Sequence, residues 1–479
     1  MRVWVRAIAA VAALTTSAAA QPVLTEAIVD CADRAATPAD RIAACSAVID
    51  GGAVQEELLP LVYVYRGVTY LNQGDHARAR ADFAEAVRID PSNALAHFYL
   101  GNAAYDLRDY QAALAAYSEA IGLSPENAGW YNNRGNTHSR LRDNRAAIAD
   151  FDRSIELDPN YPEAYNNRAI AYSRLDQDQL ALADLNRALE LEPDWPEALS
   201  NRGHVYLNMD DEKLALADFQ ASLAFNPRSV PALVGSGRAQ SRGGDLRQAI
   251  ASFNAALAID PNSEDALINR GNTHYAGRDP DLALADFNRL IELYRSPVGY
   301  LGRAFVHREN HDYEAAAADF SEVIRLRPGV ATPYYERAET YVEAGDVARA
   351  ISDYDEALRL SPAETEWAVR RCRAYAEWGE QLEAALAHCE AAHAAAPDAV
   401  TLTSRALLRL RRGEFDAAET DYTAALDLAP KDPDALYGRG LARQGLGFQD
   451  AAEDLAAAVE QDEAVVARYE VRGFSRGAQ

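Results

Sequence analysis

Apolar and small residues recur along the chain at steps of three and four, in runs separated by short polar stretches, as amphipathic helices require. The runs come in pairs, and the pairs repeat. Prolines mark the period: Pro91, Pro125, Pro159, Pro193, Pro227 and Pro261 each fall 34 residues after the last, and the series resumes at Pro328, Pro362, Pro397 and Pro430. Aligning on them predicts twelve units starting near 60, 94, 128, 162, 196, 230, 264, 297, 331, 365, 399 and 433. The unit from 128 runs Tyr131, Arg134, Gly135, Ala147, Phe151, Ser154, Pro159; the unit from 331 runs Tyr334, Arg337, Ala338, Ala350, Tyr354, Ala357, Pro362. Gly74 and Gly345 lie between the two predicted helices of their units, where a turn needs a permissive backbone. The proline at each unit's end lacks a donor and restricts the residue before it, so it stops the second helix. The joint at Tyr294–Gly299 is irregular, with Arg295 in the proline's place, and reads either as ordinary repeat variation or as a flexible break.

A large residue, an Arg-Gly or Arg-Ala step, an aromatic, a small alanine, a second aromatic and a proline within 34 residues resemble the tetratricopeptide repeat family. The resemblance implies an all-α fold, a right-handed superhelical solenoid of antiparallel helix pairs, with about twelve repeats over 60–465. Residues 21–59 are then a divergent N-terminal capping helix pair and 466–479 a C-terminal tail. Gly101, Ala113, Ala120 and Tyr117 become core positions where the helices of one unit approach closely. Where the family usually has leucine or a similar residue, this chain has Arg66, Arg134, Arg168, Arg202, Arg270, Arg303, Arg337, Arg405 and Arg439. Each of these units carries an aspartate sixteen residues on, or fifteen in the last: Asp82, Asp150, Asp184, Asp218, Asp286, Asp319, Asp353, Asp421 and Asp454. Units with Leu100 and Ser236 in the arginine slot have Ala116 and Ser252 in the aspartate slot. Joint presence and absence predicts an Arg–Asp ion pair inside each of the nine units, since a partly buried charge keeps its place only when paired.

Composition narrows the function. The formal charge is -26, from 47 basic and 73 acidic residues, which opposes binding to phosphate backbones, so no nucleic-acid partner is expected. Residues 1–20 read Arg2 and Arg6, an apolar run from Ala7 to Leu14, and small residues through Ala18 and Ala20, the layout of a secretory signal peptide. The mature chain would begin at Gln21, be exported, most simply to the periplasm and otherwise secreted, and hold no transmembrane segment, because no later run approaches the roughly 20 apolar residues of a span.

An exported chain permits disulfides. Cys45 aligns with the aromatic slot of a second helix and Cys31 lies on the helix before it; Cys372 takes a small-residue slot and Cys389 the aromatic slot of its partner helix. Two local pairs are therefore expected, Cys31–Cys45 and Cys372–Cys389. The alternative is a metal site in which Cys372, Cys389 and His393 act as ligands of a metal-dependent binding protein or enzyme. No HExxH, P-loop, GxSxG or dinucleotide glycine pattern is present, and the repeats leave no room for a separate catalytic domain. No catalytic residue and no cofactor are expected.

In the family, the first helix of each unit lines an inner groove. The slot before the arginine holds Asn133, Asn167, Asn201 and Asn269, and three residues beyond that slot stand Asn102, Asn136 and Asn272. Carboxamides both donate and accept, so a row of them suits the peptide groups of an extended chain; the row looks like the asparagine ladder of glycosyltransferase-associated members. Arg140, Arg174, Arg238 and Arg242 make the middle of this face positive, and Glu336, Glu339, Glu343, Glu366 and Glu377 make the later units acidic. The carboxylate clamp of chaperone-binding members is not matched, because Asn132 and Glu197 stand where basic residues belong. The expected function is a non-enzymatic protein-interaction scaffold of the periplasm or cell envelope that binds an extended peptide segment in its concave groove.

Overall fold

The computed structural model describes residues 26–33, 35–51 and 56–474. The export signal expected at 1–20 lies outside these residues. Every regular element among the described residues is helical, and consecutive helices pack as antiparallel pairs. They form two compact units, one up to Ala239 and one from Gln240. The first contains the pair Glu26–Ala32 and Pro38–Gly51, the turn of 3₁₀-helix Glu56–Leu58, and the pairs Leu59–Asn72/His76–Ile89, Ala94–Asp106/Tyr110–Leu123, Ala128–Arg140/Asn144–Leu157, Pro162–Ser173/Asp178–Leu191 and Pro196–Asn208/Glu212–Phe225. The second continues with the same alternation from Leu246–Ile259 to Ala451–Gln461.

The turns inside each unit have a fixed chemistry. One residue takes a left-handed backbone in the same slot of successive units, among them Gly74, Arg108, Arg142, Asp176, Asp210 and Gly244. The next residue caps the second helix: the carboxylates of Asp75, Asp109, Asp143, Asp211, Asp245, Asp312 and Asp346 each accept a backbone N–H from within the first turn. Between the helices, a small residue faces a ring. A Cβ built on Gly135 would stand 2.7 Å from Phe151 Cε1, and Phe151 is fully buried, so in this unit a side chain fits only if the ring shifts.

Cys372 and Cys389 occupy that same small-to-ring contact. Cys372 and Cys389 are fully buried, with their sulfurs 2.06 Å apart, and Cys31 and Cys45 stand likewise at 2.10 Å, both at disulfide geometry. His393 turns away to Thr401, with Nδ1 and Oγ1 3.1 Å apart, and His388 stacks on Tyr375. The three groups of the metal alternative therefore do not converge, and among the described residues no group of three His, Cys, Asp or Glu side chains is placed to hold a metal.

Residues 466–474, within the segment expected as a tail, are largely helical. Helix Val465–Val471 packs on helix Pro433–Leu446, with Tyr469 fully buried and its hydroxyl donating to the carbonyl oxygen of Asp434 at 2.8 Å. An apolar face at the end of a repeat stack needs cover, which this helix supplies. At the irregular joint, Arg295 takes the left-handed backbone, the Tyr294 hydroxyl donates to the Asn262 carbonyl oxygen and Ser296 Oγ donates to Glu264 at 3.2 Å. No described helix is long and apolar enough to cross a membrane.

Candidate peptide groove

The arginine slot is a three-helix bracket. In all nine units the guanidinium forks onto the aspartate of its own second helix, as in Arg202 Nε to Asp218 Oδ2 at 2.7 Å and Nη2 to Oδ1 at 2.8 Å. A further contact was not foreseen. In seven of the nine, Nη1 donates to a polar side chain on the second helix of the preceding unit: Ser46, Ser118, Asp152, Asn186, Asn254, Asn288 and Ser321 accept from Arg66, Arg134, Arg168, Arg202, Arg270, Arg303 and Arg337. Arg371 corrects the rule of joint presence. It fills the arginine slot of the unit from 365, where His388 stands in the aspartate slot just before Cys389, and it is answered by Asp355 of the preceding unit at 2.7 Å. The bracket between units therefore survives without the pair inside the unit.

The asparagines of the first compact unit are also bonded across units. Asn133 Nδ2 donates to Asn102 Oδ1 at 3.1 Å, Asn167 Nδ2 to Asn132 Oδ1 at 2.9 Å and Asn201 Nδ2 to Asn166 Oδ1 at 2.8 Å. Asn132 and Asn166, the buried acceptors, were missed as ladder members, although their spacing of 34 residues carried the signal. Each donating amide is partly buried and keeps a second N–H beyond the one used between units. In the second compact unit the pattern changes: Asn269 donates to the Asp265 carbonyl oxygen of its own helix, and Asn272 is exposed.

Three expected residues meet at one place. Asn102, Asn133 and Asn136 line a cavity of about 150 Å³ together with Tyr105, Asp106 and Tyr117. The Tyr117 hydroxyl donates to Asn102 Oδ1 at 2.7 Å. Arg140 Nε donates to the Tyr105 hydroxyl at 3.0 Å, at the rim of this cavity, and Arg174 reaches the Ser139 carbonyl oxygen at 3.3 Å. Burial raises the Asp106 carboxyl above its ordinary value, opposed by His76, whose Nδ1 stands 3.3 Å away. Arg238 lies close enough to His204 to reinforce the effect of burial, and the imidazole is pushed down to about 4. Arg242 lies at the end of helix Val230–Arg242 and is exposed.

The acidic face of the later units is answered by cations. Glu336 pairs with Arg308 at 2.9 Å, Glu377 with Arg472 at 2.6 Å, and Glu366 with Arg370 at 3.7 Å. Glu339 accepts the Tyr354 hydroxyl. Glu343 ends helix Thr332–Glu343. These contacts favour a structural role for most of the acidic residues over a field aimed at a ligand.

Comparison with known proteins gives the same pattern of repeats. Models of the tetratricopeptide repeat match residues 66–128, 268–331, 301–365, 335–400 and 403–463, with further repeat models at 128–161, 151–183, 196–229 and 237–276. No curated protein sequence matches the chain. Among solved structures, the chain is similar to YrrB, described as a TPR protein with an unusual peptide-binding site, at 25% identity over 39% of this chain and 97% of that one, with a TM-score of 0.32. PilW, a type IV pilus biogenesis factor, is 23% identical over 43% and 96% with a TM-score of 0.40, and the APC/C hetero-tetramer Cut9–Hcn1 16% identical over 91% and 88% with a TM-score of 0.42. With the repeat models covering more than half of its length, the chain belongs to the tetratricopeptide repeat family, whose members serve as protein-interaction scaffolds.

Proposed function

We propose that this protein is an exported, non-enzymatic scaffold that holds an extended segment of a partner protein against the first helices of the units from 94 to 196. The carrying observation is the meeting of Asn102, Asn133 and Asn136 at one cavity on that face. Peptide groups need donors and acceptors at regular intervals, and the second N–H of Asn133, Asn167 and Asn201 offers them in register with the repeat. Arg140 and Arg174 favour a neutral or acidic segment over a basic one. Export rests on the leader-like residues 1–20 and on two cysteine pairs at bonding geometry, which an oxidising compartment would close.

A photocrosslinking residue placed at Asn136 should capture the partner in native cells, and one placed at Glu156, on the exposed face of a second helix, should not. Capture from position 156 alone would overturn the groove reading. Sequencing the N-terminus of the native protein tests export separately: a start at Gln21 is expected, and a start at Met1 would contradict it.

A further inference from the structure

We propose that the cavity between the units from 94 and 128 is a pocket for one carboxamide side chain, glutamine or asparagine, of the bound peptide. The inference rests on the groove reading and adds a sequence preference to it. Asn102 is 4% exposed and lines the cavity. Its Oδ1 is fully used, accepting from Tyr117 and Asn133, whereas its Nδ2 is buried with no hydrogen-bond partner. A buried donor left unpaired is costly, so a ligand atom that accepts from it is favoured over one that cannot. Asp106, on the same wall, offers the opposite chemistry: its Oδ2 faces His76 Nδ1 at 3.3 Å, and the half-buried carboxylate keeps acceptor capacity for a ligand donor. Tyr105 already accepts from Arg140, which leaves its hydroxyl proton for a ligand oxygen.

A group that accepts and donates at once, without net charge, answers all three. A carboxamide does. A carboxylate would face Asp106, an ammonium group would leave Asn102 Nδ2 unanswered beside the cation Arg140, and an aliphatic chain would bury both needs. Size agrees: a cavity of about 150 Å³ admits a benzene ring, and glutamine's side chain has fewer heavy atoms than that ring.

Displayed random peptides selected on the oxidised full chain test the pocket. Enrichment of glutamine or asparagine at one position is expected. Replacing that residue by glutamate or leucine should weaken binding about tenfold, roughly the effect of losing one to two hydrogen bonds. Asp106→Ala should abolish the preference while other peptide positions stay enriched, and circular dichroism checks that this variant is folded. Binding peptides with no carboxamide preference, or with the preference intact in Asp106→Ala, would overturn the pocket and leave the groove standing. Selection of no peptide at all would overturn both. Asn136→Ala, a second change on the cavity wall, should reduce the preference in the same direction if Asp106→Ala fails to fold.

Discussion

Removing the guanidinium of Arg202 isolates the energetics of the bracket. Asp218 is 7% exposed and receives two N–H groups from Arg202, at 2.7 and 2.8 Å. Stripping the cation from a buried pair costs about 3–5 kcal/mol, because the remaining carboxylate has lost its water and gained nothing. The Arg202 side chain is 23% exposed, so water reaches part of the site and the lower end, about 3 kcal/mol, applies to Arg202→Ala. The added Nη1 contact to Asn186, at 2.9 Å in an exposed position, contributes up to about 1 kcal/mol. The double change Arg202→Ala with Asp218→Ala leaves no buried charge and should cost about 1 kcal/mol, so the coupling is at least about 2 kcal/mol, and larger by whatever Asp218→Ala costs alone. Long repeat arrays do not unfold in two states, so the measurement is hydrogen exchange in helices Pro196–Asn208 and Glu212–Phe225 rather than a global melt. Single changes that sum to the double within about 0.5 kcal/mol would refute the reasoning.

Other expectations test the remaining parts. Peptide mapping of non-reduced native protein should recover Cys31 linked to Cys45 and Cys372 to Cys389; free thiols at all four would contradict export into an oxidising compartment. Gly135→Ala forces a methyl to 2.7 Å from the Phe151 ring and should cost about 1–3 kcal/mol, read as faster exchange in that unit, whereas Gly122→Ala, where the new carbon meets nothing within 4 Å, should not. His204, near 4 when folded against about 6.5 when unfolded, contributes stability that is complete above pH 6.5 and lost as pH falls toward 4. That loss, on the order of 2 kcal/mol, should appear as increased exchange in helix Pro196–Asn208 and be absent in His204→Gln. Replacing Asn133, Asn167 and Asn201 together by alanine should loosen the contacts between units as well as weaken binding, since each donates across a joint. Unchanged exchange at those joints would count against the bonded ladder.

The fold was legible in the sequence because its constraints act within 34 residues. Prolines, left-handed turn slots and aspartate caps are local, and the small residue opposite Phe151 recurs at a fixed distance. The nine Arg–Asp pairs were readable for the same reason. Contacts across a joint were harder to see: the Nη1 acceptors are serine, asparagine or aspartate, a set with no shared appearance, and the guanidinium accepts any of them. The asparagines proposed for the groove lie on first helices, yet the sequence could not tell an amide free for a ligand from one already engaged by its neighbour. Asn269 bonds its own helix, and the residue 35 before it, in the slot that Asn132 and Asn166 fill for Asn167 and Asn201, is Val234, which carries no amide.

Because seven of the nine arginines ask of the preceding unit only a polar side chain at one place, those joints are interchangeable. Excising residues 162–195 would bring Arg202 against Asp152, the residue that now accepts from Arg168, instead of Asn186. The shortened protein should close as tightly as the parent, which is how a gene for such a chain can gain or shed whole periods by unequal recombination without passing through an unfolded intermediate length. Lineages of this architecture are then free to adjust their reach to a longer or shorter partner while each retained joint stays chemically unaltered.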